Sequence, residues 1–160
     1  MASNEIVTWH RSYSVNIPLI DSQHKELINW TNSLYRSCLK GRENSNDVFM
    51  GILRAAVSYV GYHFSTEEKI MERVKYPGYS SHKREHNDFV REILKAVEDL
   101  SKGIKYNPLS FVTYLKDWVL THIAVSDKAL GQYLIGLRQN GDLYNISLKV
   151  KQVSDRYVFA

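Results

Sequence analysis

Four long segments with helical character, separated by short breaks, constrain the fold of this 160-residue chain more than any other feature. The second segment shows the pattern best, because its apolar residues form one stripe at the 3.6-residue period of a helix. "YPGY" ends this segment, since Pro77 cannot continue the helical hydrogen-bond ladder and Gly78 permits a tight reversal. We therefore predict a helix from Asn46 or Asp47 to about Lys75. The stripe comprises Val48, Ile52, Leu53, Ala56, Val60 and Phe64.

Capping residues and helix stops delimit the other three segments in the same way. Short loops between four helices favour an all-α fold, an antiparallel up-down four-helix bundle. The other predicted helices run from Asp21 or Ser22 to Gly41, from about His82 (capped by Ser80 or Ser81) to Lys102, and from Asn107-Pro108 toward Gly141.

The two ends of the chain lack this helical period. Residues 1–20 predict an N-terminal arm, and we expect its aromatic side chains Trp9 and Tyr13 to pack on the core. The bundle itself occupies residues 21–140. Residues 141–160 form a C-terminal extension in which "YNISLKVKQV" alternates apolar and polar residues, as is typical of a short strand or an extended segment.

Composition and charge argue against several classes of protein. The formal net charge is +4, but no block of Lys and Arg stands out, so we expect no nucleic-acid partner. No run approaches the roughly 18 apolar residues of a membrane helix, and the N-terminus lacks the apolar core of a signal peptide. Cys38 is the single cysteine, which excludes an intrachain disulfide and indicates a reducing compartment. These features predict a cytoplasmic protein that does not bind a membrane.

Histidines and carboxylates recur at one helical spacing on both sides of the "YPGY" break. His63 and Glu67 are four residues apart on the second predicted helix, and His82 and His86 are four apart on the third. Residues at this spacing are neighbours on one helix face. In an antiparallel bundle, the end of the second helix lies beside the start of the third. Both pairs are therefore expected at one level.

Three more such residues fall at the same level on the other two helices. His24 lies near the start of the first helix, and His122 lies past the middle of the fourth. Asp127 follows His122 by five residues, a step that overshoots a full turn of an α-helix. Its side chain must reach sideways, or the helix must be loosened locally, as in a π-type bulge.

A lone histidine on an apolar helix face is usually a hydrogen-bonded core residue, but a layer of seven ionisable groups requires another explanation. Burying them without a compensating charge is costly, and a metal offsets that cost. Imidazole and carboxylate ligands suit iron, zinc, copper or manganese. Seven ligands exceed the four that zinc prefers and fit two ions sharing carboxylates. The Glu-x-x-His motif of carboxylate-rich di-iron bundles is absent from the sequence.

These motifs resemble those of the hemerythrin family, specifically the bacterial hemerythrins. The resemblance covers about residues 9–130 and rests on "DSQHKEL", "HFSTEE", "HKREH" and "WVLTHIAVSD". It implies a non-haem di-iron centre with an oxo or hydroxo bridge. The implied metal ligands are His82, His86 and His122 on one iron, His24 and His63 on the other, and Glu67 and Asp127 between them.

The resemblance also implies a function, reversible O₂ binding, because coordination counting leaves one open position on the iron held by two histidines. Carriage, storage, delivery or sensing of O₂ would each use such a centre. The alternative is a di-iron enzyme that removes peroxide, superoxide or nitric oxide. We expect a binding protein rather than an enzyme. The sequence leaves the oligomeric state open.

Apolar residues near the ligands are candidates for an O₂ pocket, which must keep out water and anions. They could equally be ordinary bundle core. At position 119 this chain has valine where the family more often has leucine, so the pocket should be larger there. His10 matches no ligand position and is expected on the surface. The pocket candidates are Leu27, Phe64, Trp118, Val119 and Ile123.

Overall fold

The computed structural model describes residues 4–39, 45–102 and 107–140, with the side chains of residues 45 and 46 left out. Its helices form the four-helix bundle that the sequence predicts. Helix α1 packs against α2 and α4, and α2 also packs against α3. A short 3₁₀ turn, Arg11–Tyr13, precedes them. The helices are α1 (Pro18–Leu39), α2 (Ser45–Arg73), α3 (Tyr79–Ser101) and α4, which begins with Pro108–His122, continues through a π-helical segment, Ile123–Asp127, and ends with Lys128–Gln139.

Two helices begin earlier than the capping residues predicted. Helix α1 starts at Pro18, whose fixed φ suits a first helical position. Asp21 lies inside the helix and instead accepts hydrogen bonds from the Val15 N–H (2.8 Å) and the Ser14 hydroxyl (2.6 Å). The predicted cap at Asp21 or Ser22 was therefore wrong, and the arm is shorter than 20 residues.

Helix α3 likewise starts at Tyr79, with Gly78 in the N-cap position. Ser81 lies in the first turn and donates its hydroxyl back to the Gly78 carbonyl at 3.0 Å. Neither Ser80 nor Ser81 is thus the cap. Helix α2 ends slightly early, at Arg73, and Lys75 has a φ of 54°. This left-handed residue reverses the chain before Pro77 is reached.

The start of α4 agrees with the prediction. The Asn107 side chain accepts hydrogen bonds from the backbone N–H groups of Leu109 (3.0 Å) and Ser110 (3.3 Å), as an N-cap should. The predicted stop at Gly41 and the predicted C-terminal extension, residues 141–160, lie outside the described residues. None of the described helices is long and apolar enough to cross a membrane.

Two apolar clusters fill the bundle. They lie on either side of the level at which the predicted ligand residues occur. The larger cluster occupies the middle and one end of the bundle and includes Leu34, Leu53, Phe89 and Val112. The smaller cluster consists of Val15, Ile20, Ile70, Met71, Leu130 and Leu134. Along α1, α2 and α4 the sequence passes from one cluster to the other through the predicted ligand positions. The ionisable layer is therefore enclosed by apolar residues on both sides.

The N-terminal arm is fixed along the bundle by polar contacts. The Asn32 side chain accepts from the N–H groups of Ile6 (3.0 Å) and Val7 (3.1 Å) and donates to the Val7 carbonyl. Lys128 donates to the carbonyls of Ser12 and Ser14. The arm therefore contacts α1 and the second half of α4. Of the two aromatic residues predicted to pack on the core, Tyr13 packs against the larger apolar cluster, whereas Trp9 contacts Tyr13 and Lys25.

Candidate metal centre

The fold brings all seven predicted ligand residues into one buried layer. Each side chain is shielded from solvent, with the largest exposure, 5%, at His122. Five imidazoles and two carboxylates in this volume are far more ionisable groups than an ordinary core contains. The layer consists of His24, His63, Glu67, His82, His86, His122 and Asp127.

Because of the π-helical segment, Asp127 faces the histidine of α1 as well as histidines of α3 and α4. The segment places Asp127 beside His122 although five residues separate them. Asp127 Oδ1 lies 3.1 Å from His122 Nε2 and 3.2 Å from His82 Nε2, while Oδ2 lies 3.0 Å from His24 Nε2. One carboxylate thus presents an oxygen to each side, as a bridging ligand would. Of the two possibilities left open by the sequence, local loosening of the helix is the correct one.

Glu67 reaches both groups from α2. Its Oε1 lies 3.8 Å from His24 Nε2, and its Oε2 lies 3.3 Å from His86 Nε2 and 3.5 Å from His82 Nε2. His63 Nε2, four residues earlier on the same helix, is 3.6 Å from Oε2. Glu67 and Asp127 therefore lie between the histidines of α1 and α2 and those of α3 and α4.

The facing atoms divide into two overlapping sets that could each hold an ion. One contains His82, His86 and His122, and the other His24 and His63; both include the two carboxylates, and the atoms of each set lie within 4.8 Å of one another. His122 Nε2 is 3.1 Å from the Nε2 atoms of both His82 and His86. Ligand atoms about 2.1 Å from one ion are about 3 Å apart when they meet at right angles, so these separations fit metal coordination.

Unpaired polar atoms inside the layer support the same conclusion. Nε2 of His24, Nε2 of His63 and all four carboxylate oxygens of Glu67 and Asp127 are buried and make no hydrogen bond within the described residues. Buried polar atoms are nearly always satisfied. Since these atoms converge on common points, shared cations would satisfy them together.

The pKa shifts show how strongly the layer requires positive charge. Burial would lower the pKa of His24, yet the nearby carboxylates of Asp127 and Glu67 raise it to about 9. For His82 the same balance, burial against Asp127 and Glu67, raises the pKa to about 10. Burial lowers the pKa of His63 to about 4. The carboxylates, despite burial, have pKa values below their usual range because the histidines surround them. A metal ion bound between these groups would supply the positive charge that the raised pKa values of His24 and His82 otherwise provide.

Three ligand histidines have partners on their outward nitrogen that the sequence analysis missed. The Nδ1 atom of His63 lies 2.9 Å from the amide oxygen of Gln23. The other two partners are carboxylates: Glu85 lies 2.9 Å from His122 Nδ1, and Glu68 lies 3.2 Å from His86 Nδ1. A signal was present, since each partner directly precedes or follows a ligand in the sequence. Their orientation, however, depends on how the helices are rotated against each other.

Two of the predicted pocket residues stack on ligand imidazoles instead. Phe64 lies parallel to His86, with ring centroids 3.7 Å apart and planes 3° apart. Trp118 stacks on His122 at 4.5 Å and 14°, and on its other side it stacks on Phe89. These rings fix the orientation of the imidazoles and exclude water from the outer side of the three-histidine group.

The bundle also contains an apolar cavity, which includes two of the predicted pocket residues in its lining. Its volume is about 20 Å³. Leu27 and Val119 line it, whereas Phe64, Trp118 and Ile123 do not. Ile123 is fully buried in the core. The cavity extends away from the metal layer along the bundle, since its walls also include Trp30, Thr31, Leu34, Leu53, Ala56, Val57, Val60, Phe89, Ile93 and Leu115.

His10 lies apart from this layer, as the sequence indicated. Its exposed side chain accepts a hydrogen bond from the Ser12 N–H and caps the 3₁₀ turn. Its contact with Tyr13 is an edge-on ring contact at 6.4 Å. His10 therefore has a local structural role in the arm.

Fold and site together define a class of protein: a helical-bundle metalloprotein whose histidine-rich centre has ligand sets for two ions. Comparison with known proteins identifies the family. The chain belongs to the hemerythrin family, since the family model described as the hemerythrin HHE cation binding domain matches residues 15–134. The matched region includes every residue of the layer.

Named relatives and solved structures agree with this assignment. A bacteriohemerythrin of Aquifex aeolicus (strain VF5) is 34% identical over 119 residues, covering 72% of this chain and 87% of the relative. A bacteriohemerythrin of Methylococcus capsulatus (strain ATCC 33009 / NCIMB 11132 / Bath) is 27% identical and covers 81% and 97% respectively. The crystal structure of a wild-type hemerythrin superposes with a TM-score of 0.74 at 26% identity, covering 79% of this chain and 96% of that one.

Proposed function

We propose that this protein binds O₂ reversibly at a pair of iron ions held in the buried layer. The observation that carries the proposal is the placement of two carboxylates between two histidine groups, with Asp127 presenting one oxygen to each. This arrangement suits two ions at bridging distance rather than one. Family membership supports iron as the metal, and when bound an iron pair supplies electrons to O₂.

The unequal histidine groups support a single O₂ position. In this proposal His82, His86 and His122 hold one iron, and His24 and His63 hold the other. Because this second group supplies one histidine fewer, an iron held there would have a position left for O₂. Leu27, which lies one turn from His24 and lines the apolar cavity, is next to this second group. O₂ would therefore bind on the side of the centre that faces the cavity.

The surrounding residues suit a small apolar ligand. The cavity volume, about 20 Å³, exceeds the roughly 10–15 Å³ that one water molecule requires, so the cavity has room for a small molecule. Its walls are almost entirely hydrocarbon, and the Thr31 hydroxyl is engaged with the Leu27 carbonyl at 2.9 Å. Apart from the Trp30 indole N–H, which is buried and makes no hydrogen bond within the described residues, such walls offer little to stabilise an anion or a water molecule. They favour storage or delivery of intact O₂ over its reduction.

We also propose that the protein is cytoplasmic and that it carries, stores or delivers O₂. The single cysteine, Cys38, suits a reducing compartment. The named relatives are hemerythrins, which supports a binding protein over an enzyme. Multiple turnovers of peroxide, superoxide or nitric oxide by the iron-loaded protein would instead establish the enzymatic alternative.

The direct test is an optical spectrum of the iron-loaded protein, reduced without air, recorded before O₂ is admitted, after it is admitted, and again under vacuum. We expect charge-transfer bands to appear with O₂ and to fade under vacuum over repeated cycles. Metal-free protein treated identically is the control. Bands that never appear, or that persist after O₂ is removed, would contradict reversible binding.

A further inference from the structure

The outward nitrogens of the ligand histidines have partners of different charge on the two sides of the centre. On the three-histidine side, His122 Nδ1 faces the Glu85 carboxylate at 2.9 Å and His86 Nδ1 faces the Glu68 carboxylate at 3.2 Å. A carboxylate that accepts this N–H fixes the tautomer and makes the other ring nitrogen a stronger electron donor. Two of these three imidazoles are therefore backed by negative charge.

The two-histidine side has no such carboxylate among the described residues. His63 Nδ1 faces the neutral amide oxygen of Gln23 at 2.9 Å, and the same amide donates to Thr66 at 3.3 Å. His24 Nδ1 is buried and makes no hydrogen bond within the described part of the chain. The donor strength of the ligands is thus unequal between the two halves.

Glu85 differs from Glu68 in what else it contacts. Glu68 also pairs with Lys83 at 3.0 Å, which offsets part of its charge. No lysine or arginine described by the structure lies within ion-pair distance of Glu85. Its Oε2 instead accepts a second hydrogen bond, from the Ser126 hydroxyl at 2.6 Å. Glu85, the carboxylate that contacts His122, is therefore the one whose negative charge no described lysine or arginine offsets.

Ser126 connects this contact to the geometry of the centre. It belongs to the π-helical segment and directly precedes Asp127. One Glu85 oxygen thus holds both His122 and the segment that aims Asp127 between the two ligand sets. The Glu85 side chain is 46% exposed and could otherwise extend into water. Ordering the Glu85 side chain against His122 and Ser126 costs side-chain entropy. The two hydrogen bonds must offset this cost.

We propose that Glu85 is a positioning residue that orients His122 and makes the three-histidine half of the centre the more readily oxidised half. This inference rests on the proposed function only in requiring an iron pair, not in requiring O₂ binding. Removing the carboxylate should raise the reduction potential, because the ferric state loses a nearby negative charge. It should also loosen the metal, since partners of this kind contribute about 10- to 100-fold in metal affinity or activity.

The test compares Glu85→Gln and Glu85→Ala with Glu92→Gln in the full-length protein. Glu92 lies two turns further along α3 and is exposed, so its variant removes the same charge from the same helix away from the centre. We would measure the potential of the iron pair, the rate of iron release to a chelator, and the ¹⁵N signal of His122 Nδ1 in zinc-loaded protein.

We expect both Glu85 variants to raise the potential and to speed iron release by about 10-fold or more, and Glu92→Gln to change neither. Glutamine keeps an acceptor, so Glu85→Gln should retain the hydrogen bond from His122 Nδ1–H that Glu85→Ala loses, and the ¹⁵N signal should shift more in Glu85→Ala. Ser126→Ala should fold normally and shift the same properties less. If Glu85→Gln matches Glu92→Gln in potential and release rate, Glu85 is a surface charge only and the inference is overturned.

The outcome is separable from that of the proposed function. Shifted potentials in a protein that fails to release O₂ under vacuum would support the role of Glu85 and reject reversible binding. Reversible O₂ binding with unshifted potentials would do the opposite.

Discussion

Val119 is a cavity-lining residue at a position where the resemblance to the family leads us to expect leucine. It is buried and lines the apolar cavity together with Leu27, and it lies one turn before the ligand His122. Valine is one methylene smaller than leucine, and close-packed interiors respond to a change of that size. Water or a small anion should therefore enter beside the centre more easily than with leucine.

We predict that Val119→Leu slows conversion of the O₂ complex to the oxidised, O₂-free form several-fold, with iron content unchanged. Filling the cavity excludes the water and anions that displace O₂. The rate is measured by following the loss of the charge-transfer bands in air. Val112→Leu is the matched control, because Val112 is fully buried in α4 but does not line the cavity. Equal decay rates with altered stability would show that Val119 affects packing alone.

The Glu67 carboxylate lies within 4 Å of four histidines of the ligand layer. We predict that Glu67→Ala leaves no stable metal pair, because it removes a ligand from both sets. Iron analysis should give well below two per chain, against about two for the unchanged protein. His10→Ala, which alters an exposed histidine of the arm, should keep full iron content. An iron pair with an unchanged spectrum in Glu67→Ala would disprove the assignment.

At the scale of elements, α4 accommodates two requirements that a regular helix could not meet. Its first part carries His122, and its last part packs Leu130 and Leu134 into the smaller apolar cluster. The π-helical segment between them widens the helix locally, and this places Asp127 in the layer. π-Bulges are rare and are frequently found at functional sites, and here the distortion of α4 places Asp127 in the layer.

The contact between α4 and the arm leads to a prediction about two glycines of the same helix. A Cβ at Gly131 would lie 2.5 Å from the Val15 carbonyl oxygen, whereas a Cβ at Gly136 would meet nothing within 4 Å. We expect Gly131→Ala to lower the free energy of unfolding by about 1–3 kcal/mol, since the arm must move away. Gly136→Ala should raise it by up to about 1 kcal/mol, because alanine is the better helix former.

Urea unfolding of the two variants and the unchanged protein would measure these differences. If both variants were stabilised equally, the arm would not be held against α4 as the structure shows. Iron content should be unaffected by Gly136→Ala.

At the scale of the whole molecule, the bundle encloses an ionisable layer between two apolar clusters. The layer takes side chains from all four helices, so a metal bound there would connect the helices more firmly than the apolar packing and the few polar contacts between them. Without metal, two buried carboxylates depend on protonated histidines for charge balance, with the pKa of His24 raised to about 9 and that of His82 to about 10. Metal binding and folding stability are therefore linked.

We predict that metal loading raises the melting temperature and that a chelator reverses the gain. A ligand that binds only the folded state stabilises it by about 4 kcal/mol when free ligand exceeds its dissociation constant about 1,000-fold. Thermal unfolding of metal-free and iron-loaded protein would measure the difference. Glu67→Ala should show little gain on adding metal. Equal melting temperatures with and without iron in the unchanged protein would exclude a centre that ties the helices together.

The sequence by itself determined the number of helices, the breaks between them, and the residues that meet in the layer. Those features depend on local periodicity and on chain direction, both of which can be read directly from the order of residues. The step from His122 to Asp127 left two possibilities open, a sideways reach of the side chain or a loosened helix, and the structure shows the loosened helix. The metal-binding role of these residues remains a prediction.

Only the tertiary structure decided which side chains surround the ligands. Phe64 and Trp118 stack on imidazoles instead of lining the cavity, and Gln23, Glu68 and Glu85 face the outward nitrogens. The starts of α1 and α3 also differ from the capping signals. The physical reason is common to these cases: a contact between helices distant in sequence depends on helix rotation and on the path of the preceding loop, and neither is encoded in local spacing.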